Sequence, residues 1–298
     1  MKLHEVLKMM SSECQGAYIL DSAEILRLHR RLLDVIKDFD EICKTNNIEW
    51  SLGAGNMLGA VRHKGFIPWD DDIDVTITRK EFEKLKKCFP GKLCDKYELK
   101  IPGDKGYILH YPRIYVKNTK FRSFLSVDGG NNGLYIDIFI DENIPNNIFL
   151  RKAHGILCTV LLGIISSVRV YYCRETLRKY SKNNSLLKKE VKKRLLVGKI
   201  MSFLTIEKWM RIADHCFSLC KNDVSKDICI PSGAKHYFGE IYRREKFCTY
   251  QRVQFENLEL PIPNEPEYYL ELRYGKNYMT PPKEQNREHR ILIEYDIG

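Results

Sequence analysis

The fold of this chain is decided by the stretch Trp69-Asp70-Asp71-Asp72-Ile73-Asp74-Val75-Thr76-Ile77. Apolar and polar residues alternate from Ile73 to Ile77, which predicts a half-buried β-strand. Because residues two apart on a strand share a face, we expect Asp72 and Asp74 to point the same way. Paired carboxylates repel each other and need a cation, and Mg²⁺ prefers oxygen ligands that include one or two carboxylates. The stretch therefore predicts a Mg²⁺ site, which Mn²⁺ would also suit; the alternative is a solvated acidic turn.

A glycine-rich loop precedes the acidic stretch and reads Gly53-Ala54-Gly55-Asn56-Met57-Leu58-Gly59. Glycines allow a ligand to approach the backbone closely, and the N-terminus of a following helix offers free N–H groups to a phosphate. Alone, such a loop is also typical of many tight turns. Next to a strand with paired carboxylates, it predicts one segment that holds phosphate and a second that holds the metal.

A third carboxylate is expected on a later strand, Leu134-Tyr135-Ile136-Asp137-Ile138-Phe139-Ile140-Asp141. Its leucine and isoleucines form one face, and both aspartates lie on the other. A charged residue in such a run is costly unless it is paired or metal-bound. Asp137 is mid-strand and is our prediction for the third ligand, whereas Asp141 at the strand end is interpreted as a turn residue.

The run from Gly55 to Asp74 resembles the signature of the LicD family, bacterial phosphocholine transferases of cell-surface glycans that are related to the fukutin-type phosphoribitol transferases. The resemblance covers about Asp21 to Asp141. It resumes nearer the C-terminus, in the motifs Pro261-Ile262-Pro263, Tyr269-Leu270, Tyr274-Gly275-Lys276-Asn277-Tyr278-Met279, Pro281-Pro282 and His289. It implies an α+β fold, a nucleotidyltransferase-like mixed sheet flanked by helices, here with a helical basic insertion.

The resemblance also implies an activity. A phosphocholine-type group would move from a CDP-activated donor to a hydroxyl of a glycan or glycolipid precursor, with release of CMP. Asp72, Asp74 and Asp137 would be the catalytic residues and would hold Mg²⁺. Two alternatives stay open: a nucleotidyltransferase that uses an NTP and releases pyrophosphate, and a non-catalytic module that binds a glycan or a nucleotide.

Four residues are predicted to bind the nucleotide phosphates: Gly55, Asn56, Arg62 and Lys64. The LicD family usually has Gly-Thr where this chain has Gly55-Asn56, and an amide can also donate to a phosphate. Arg62 is the best nearby cation because its planar fork matches phosphate oxygens. The alternative for Arg62 is a loop salt bridge to one of the aspartates.

The two remaining aspartates of the signature are not predicted to be metal ligands. Asp70 matches the family motif and is expected to orient Arg62 or a metal-bound water. Asp71 is expected to face solvent.

Aromatic residues and a histidine complete the predicted site. Trp69 either lies over a choline cation or packs in the core. Tyr274, Tyr278 and His289 match the C-terminal pattern of the family, and they either close the site or serve the structure.

Basic residues are concentrated between Arg151 and Arg211, which hold fifteen Lys and Arg against three Glu, enough to account for the whole net charge of +10. The segment includes an uncharged stretch, 156–168, that is shorter than the roughly twenty residues of a membrane-spanning helix. One interpretation is a core helix followed by a solvated basic helix. The other is peripheral contact with an anionic membrane, which a lipid-linked acceptor would make useful. Nucleic acid ranks last, because no recognised motif is present.

The resemblance and the position of the basic segment divide the chain of 298 residues into three expected segments. They are a nucleotidyltransferase-like catalytic core at 1–150, a basic helical region at 151–230 and a C-terminal segment at 231–298 that completes the site.

The ten cysteines show no CxxC pair, and Cys216 and Cys220 alone do not make a zinc site. No signal peptide is evident, so we expect a cytoplasmic protein with free thiols. The membrane contact considered above would be peripheral and with the inner face of the cell membrane.

Overall fold

The computed structural model describes residues 19–89, 95–123, 133–172, 174, 185–284, 287, 290 and 292–298. Its helices are α1 (Ser22–Thr45), α2 (Ala54–His63), α3 (Arg79–Cys88), α4 (Ile148–Tyr172), α5 (Ser185–Met201), α6 (Ile206–Phe217), α7 (His236–Gly239), α8 (Arg244–Phe247) and α9 (Pro266–Tyr274). Its strands are β1 (Ser51–Leu52), β2 (Asp74–Thr78), β3 (Tyr97–Lys100), β4 (Arg113–Val116), β5 (Lys120–Ser123), β6 (Tyr135–Asn143), β7 (Asp227–Cys229), β8 (Ile241–Arg243), β9 (Tyr250–Phe255), β10 (Leu258–Pro263) and β11 (Leu292–Asp296). The predicted α+β class is confirmed.

Seven of the strands form one mixed sheet in which β2 and β6 are parallel neighbours. The order is β1-β2-β6-β4-β3, with β7 paired to β6 and β8 paired to β7. All the other pairs in this sheet are antiparallel. Two further antiparallel pairs, β9–β10 and β5–β11, lie outside it. The prediction of a mixed sheet flanked by helices is confirmed.

Helix α1 covers the main core because its apolar residues recur at helical spacing. Leu28, Leu32 and Ile36 on this helix are completely buried among the residues of the main sheet. The helix begins at a capping box: the Asp21 carboxylate accepts the Glu24 N–H, and the Glu24 carboxylate accepts the Asp21 N–H. The N-terminus of α1 is therefore set by local sequence, and its position by burial.

The register of the parallel pair sets where the acidic residues lie. Asp74, the first residue of β2, is paired with Asp137, and Thr78 at the other end is paired with Asp141. Residues paired in register project to the same side of a sheet. The start of β2 is therefore the place where two carboxylates from distant parts of the chain are brought side by side.

Helices α4, α5 and α6 follow the sheet and contribute to a second group of buried apolar residues. Arg79 at the start of α3 joins this region to the sheet, since its guanidinium bonds both Glu142 in β6 and Asp214 in α6. Helix α4 has 25 residues and is longer than the uncharged stretch at 156–168. Among the residues described here it is the one helix whose length and composition suit a membrane span, and a core helix meets the same criterion.

The return of the chain from α2 to the acidic stretch depends on Gly59. A Cβ at this position would lie 2.4 Å from the carbonyl oxygen of Gly65. Gly65 is held in turn, because a Cβ there would overlap the Glu256 carboxylate, which accepts the Phe66 N–H at 3.0 Å. The backbone that leads into the carboxylates is therefore packed against α2 with no room for a side chain.

We predict that Gly59→Ala destabilises the protein, because the new methyl group meets backbone that cannot move aside. Urea unfolding should show a loss of about 1–3 kcal/mol, which is typical of overpacking. Gly163→Ala in α4 is the control, since nothing lies within 4 Å of its Cβ position. That variant should be more stable by about 0.5–1 kcal/mol, because Ala is the better helix former. Equal effects at the two positions would contradict the close approach at Gly59.

Candidate active site: converging carboxylates at the start of strand β2

Asp72, Asp74 and Asp137 form a cluster in which each residue places a carboxylate oxygen within 4.8 Å of the others. Asp74 and Asp137 come together through the β2–β6 register, and Asp72 lies two residues before Asp74. Asp70, Asp71 and Asp72 form an overlapping group with the same spacing. Five carboxylates, named here the Asp cluster, therefore form two overlapping groups that share Asp72 at the start of β2.

Asn56 fixes the backbone on which two of these carboxylates stand. Its side-chain amide donates to the Asp72 carbonyl at 3.1 Å and accepts the Asp74 N–H at 2.6 Å. The side chain is 1% exposed. The predicted phosphate contact of Asn56 is therefore replaced in this structure by a positioning role, because both ends of the amide are already engaged.

Gly55 lies in the first turn of α2 and faces Asp70 rather than open space. A Cβ at Gly55 would be 2.7 Å from an oxygen of the Asp70 carboxylate. An anion is stabilised at a helix N-terminus by the free N–H groups and the helix dipole. The Asp70 carbonyl is also hydrogen-bonded to His29 Nε2 at 2.7 Å, which ties the acidic stretch to α1. The anion beside the glycine loop in this structure is thus a carboxylate of the protein itself.

Two arginines compensate part of the negative charge. Arg113 in β4 forms a two-pronged ion pair with Asp137, with one bond at 3.1 Å, and its guanidinium lies 3.4 Å from the centre of the Tyr135 ring. Arg290 bonds Asp71 at 3.1 Å and also contacts Asp72. Asp71 was predicted to face solvent; this is wrong, because its carboxylate is half-buried against Arg290.

Asp74 has the least compensation. No hydrogen bond or ion pair to its carboxylate occurs within the part of the chain that the structure describes. Burial and the charges of Asp72 and Asp137 raise the pKa of Asp74 well above its ordinary value. The same causes raise the pKa of Asp70, with Asp72 and Asp71 as the neighbouring charges.

The donor set therefore fits a hard divalent cation. Five carboxylates face two guanidinium groups, so negative charge remains when all five are ionised. Oxygen-only ligands of this kind suit Mg²⁺ or Mn²⁺. Asp72, Asp74 and Asp137 are the residues whose oxygens are close enough to share one ion.

Of the two predicted phosphate-binding cations, only Arg62 is near the C-terminal motifs. Its guanidinium donates to the Tyr278 carbonyl at 2.8 Å, and burial lowers its pKa. No ion pair between Arg62 and an aspartate is present among the described residues. Lys64 is exposed and caps the C-terminus of α2 in a left-handed conformation (φ 56°). No ion pair between Lys64 and the Asp cluster occurs among the described residues, so its phosphate contact stays a prediction.

The predicted aromatic residues Trp69 and Tyr274 lie next to charged side chains. The Arg287 guanidinium lies 4.1 Å from the centre of the Trp69 ring, and the His63 ring meets the same indole edge-on at 6.3 Å. Burial chiefly raises the pKa of Tyr274 to about 12, and the nearby charges of Asp74 and Asp70 contribute to the rise. The prediction for His289 falls outside the described residues.

Asp141 is separate from the Asp cluster. It is four residues beyond Asp137 on β6, a distance of about 13 Å along a strand. It is not the turn residue that we predicted, because it lies within β6, 1% exposed, opposite Thr78. Neither carboxylate oxygen has a hydrogen-bond partner among the described residues, and burial raises the pKa of Asp141 well above its ordinary value.

Sequence reasoning missed Arg113 and Arg290. A signal existed for Arg113, because a charged residue between Tyr111 and Tyr115 on the same strand face has to be buried with a partner. Arg290 gave no such signal. It lies 218 residues from its partner Asp72 and belongs to no recognisable pattern.

A glycine-started helix beside carboxylates on parallel strands is typical of proteins that bind a divalent cation together with phosphates. Comparison with known proteins agrees with this class. The family model described as the LicD/FKTN/FKRP nucleotidyltransferase domain matches residues 47–154. The lipopolysaccharide cholinephosphotransferase LicD of Haemophilus influenzae is 26% identical over 278 residues, which is 88% of this chain and 94% of that protein.

Two uncharacterised proteins are also similar over shorter stretches. One from Rickettsia prowazekii is 30% identical over 142 residues, covering 47% of this chain and 48% of that protein. One from Rickettsia typhi is 34% identical over 121 residues, covering 41% and 36%. These similarities support the resemblance of this chain to the LicD family.

We predict that Mg²⁺ or Mn²⁺ raises the melting temperature, because a ligand that binds only the folded state stabilises it. Asp74→Asn should lose most of this rise. Without metal, the same variant should melt at an equal or higher temperature, since like-charge repulsion is removed. Thermal unfolding with and without the ion measures both effects.

The control for this experiment is Asp141→Asn, which changes a buried aspartate of the same strand pair outside the cluster. It should keep the whole metal-dependent rise. The site assignment is wrong if Asp141→Asn loses the rise while Asp74→Asn keeps it.

Proposed function

We propose that this protein transfers a phosphocholine group from CDP-choline, or a closely related CDP-linked donor, to a hydroxyl of a cell-surface glycan precursor. The observation that carries the proposal is the coincidence of two findings. The family match at 47–154 contains Asp72, Asp74 and Asp137, and the structure brings those three residues together. The similarity to the cholinephosphotransferase of Haemophilus influenzae extends over most of both chains and supports the choice of headgroup.

Each part of the site has a task in this proposal. Asp72, Asp74 and Asp137 hold Mg²⁺, which neutralises charge on the transferring phosphate and on the leaving oxygen. Asn56 keeps Asp72 and Asp74 in register by bonding their backbone. Arg113 opposes the burial that raises the pKa of Asp137 and orients its carboxylate through a two-pronged bond.

The phosphoryl group is transferred in a single balanced step. The oxygen of the acceptor hydroxyl forms a bond to the phosphorus that carries choline, and the bond from that phosphorus to the CMP oxygen breaks. The hydroxyl proton is released to solvent, and CMP leaves with the electron pair. The guanidinium of Arg62, which here bonds the Tyr278 carbonyl and the His63 ring and no carboxylate among the described residues, is the cation we assign to the donor phosphates.

Two other functions use the same carboxylates. A nucleotidyltransferase would attack the α-phosphorus of an NTP and release pyrophosphate, and a binding module would release neither product. The identity of the small product separates the three. Incubation with CDP-choline and Mg²⁺ should yield CMP, whereas an NTP should yield no pyrophosphate.

We predict that Asp72→Asn and Asp74→Asn each lower turnover by at least about a hundredfold, the scale on which loss of one electrostatic stabiliser acts in other enzymes. CMP release from CDP-choline in the presence of a lipopolysaccharide acceptor measures the effect. Glu41→Gln on the exposed surface of α1 is the matched control and should leave turnover unchanged. Near wild-type turnover in either aspartate variant, with the fold intact by circular dichroism, would contradict the assignment.

The proposal extends to where the reaction occurs. We place the protein in the cytoplasm with α4 and α5 resting on an anionic membrane, where a lipid-linked acceptor would be presented. Large apolar side chains of both helices are exposed, namely Phe149, Ile156, Val160, Leu196 and Ile200, and so is Phe203 just after α5. Exposed lysines accompany them at positions 152, 193 and 199. Apolar insertion combined with lysine contacts is how peripheral helices bind anionic lipid.

We predict that the protein sediments with anionic vesicles at low salt and is released as salt rises, because exposed charges are screened over about 8 Å at physiological ionic strength. Neutral vesicles should bind it weakly. Replacement of Lys152, Lys193 and Lys199 by Glu should abolish sedimentation.

The matched control replaces three exposed lysines elsewhere on the molecule, Lys37, Lys87 and Lys105, by Glu. This variant has the same net charge and should still sediment. Equal loss in both variants would show that only net charge matters, and would remove α4 and α5 from the proposal.

A further inference from the structure

A second cluster of ligand-type side chains lies in the helical region, away from the Asp cluster. His154 and Cys158 are one turn apart on α4, and Cys216 comes from α6. One ligand atom of each lies within 4.8 Å of the others, and all three residues are buried. The prediction that zinc has no site considered only Cys216 and Cys220. The structure instead sets Cys216 beside a cysteine 58 residues earlier in the chain.

The distance between the two sulfur atoms is informative. Cys158 Sγ and Cys216 Sγ are 3.6 Å apart. A disulfide requires about 2.05 Å. Two thiolates bound to one tetrahedral zinc, each at about 2.3 Å, are roughly 3.8 Å apart. The observed separation is therefore close to the edge of a zinc tetrahedron.

His154 is oriented as a metal-binding histidine is. Its Nε2 lies 2.8 Å from the Cys216 carbonyl oxygen, so this nitrogen carries the proton and donates it. The remaining nitrogen, Nδ1, then has the lone pair that accepts the Tyr237 O–H at 3.2 Å, and a metal ion would take the place of this hydrogen bond. A backbone carbonyl on one ring nitrogen and a metal on the other is the usual arrangement in zinc sites.

A further cysteine, Cys229 in β7, belongs to the same group of buried residues as Cys158 and Cys216. Its sulfur is not among the ligand atoms that lie within 4.8 Å of one another. His154, Cys158 and Cys216 therefore define the cluster.

The surrounding packing is rigid. A Cβ at Gly155 would lie 2.7 Å from the Tyr237 ring and 2.5 Å from the Phe238 ring. This glycine therefore lets α7 press its two aromatic residues against α4, next to His154. A site held in this way resembles a structural metal site more than an open catalytic one.

We propose that His154, Cys158 and Cys216 bind a zinc-type thiophilic metal ion that joins α4 to α6. Binding replaces the thiol protons of Cys158 and Cys216, which are released to solvent, and requires no oxidant or reductant. The ion stabilises the helical region. It is independent of the proposed transferase reaction and of the Mg²⁺ site.

The test is metal analysis of the full chain, produced without a polyhistidine tag in zinc-containing medium. We expect about one zinc per chain, since a closed site of this type binds a single ion. Replacement of the zinc by Co²⁺ should give a sulfur-to-cobalt charge-transfer band, which the carboxylates of the Asp cluster cannot produce. Cys158→Ser and Cys216→Ser should each lower zinc affinity at least about tenfold.

Cys220→Ser is the matched control, because Cys220 is close in sequence and lies outside the cluster. It should retain the zinc and the cobalt band. If a serine variant does not fold, the wild-type protein alone decides the matter. A wild-type chain that carries no zinc, shows no cobalt–thiolate band or contains a Cys158–Cys216 disulfide would overturn the proposal.

Discussion

The structure depends on the parallel pairing of β2 with β6, which forces Asp74 and Asp137 side by side against their mutual repulsion. Hydrophobic burial supplies the force, because both strands carry completely buried isoleucines: Ile77, Ile136 and Ile138. A one-residue slip would turn these side chains out of the core, so the register is strongly specified. The same register that fills the core therefore creates a local excess of negative charge.

Cations from distant parts of the chain make that excess tolerable. Arg113 arrives from β4, and Arg290 arrives from the C-terminal segment just before β11. Both guanidinium groups lie over the Tyr135 ring, at 3.4 and 5.6 Å from its centre. Asp74 between them has no such partner among the described residues. Arginines thus partly neutralise the negative charge of Asp71, Asp72 and Asp137, while the charge of Asp74 has no such partner in the part of the chain that the structure describes. A divalent cation is expected beside Asp74.

Local patterns predicted much of the fold. The alternation in β2 and β6, and the choice of Asp137, which the structure brings to Asp72 and Asp74, rest on neighbours within a few residues. Features that rest on long-range contacts were missed or wrong. Asp71 was assigned to solvent because Arg290 could not be foreseen. Cys158 and Cys216 were not connected because no spacing rule links residues on two helices.

We propose that one divalent cation, bound by Asp72, Asp74 and Asp137, holds the phosphates of a CDP-linked donor. The most direct test is a crystal structure with Mn²⁺ and a non-hydrolysable CDP-choline analogue, in which the anomalous scattering of manganese locates the ion. We expect an anomalous peak between these three carboxylates, with phosphate oxygens of the analogue completing the coordination of the ion. A peak bound elsewhere, or an analogue whose phosphates lie away from β2, would contradict it.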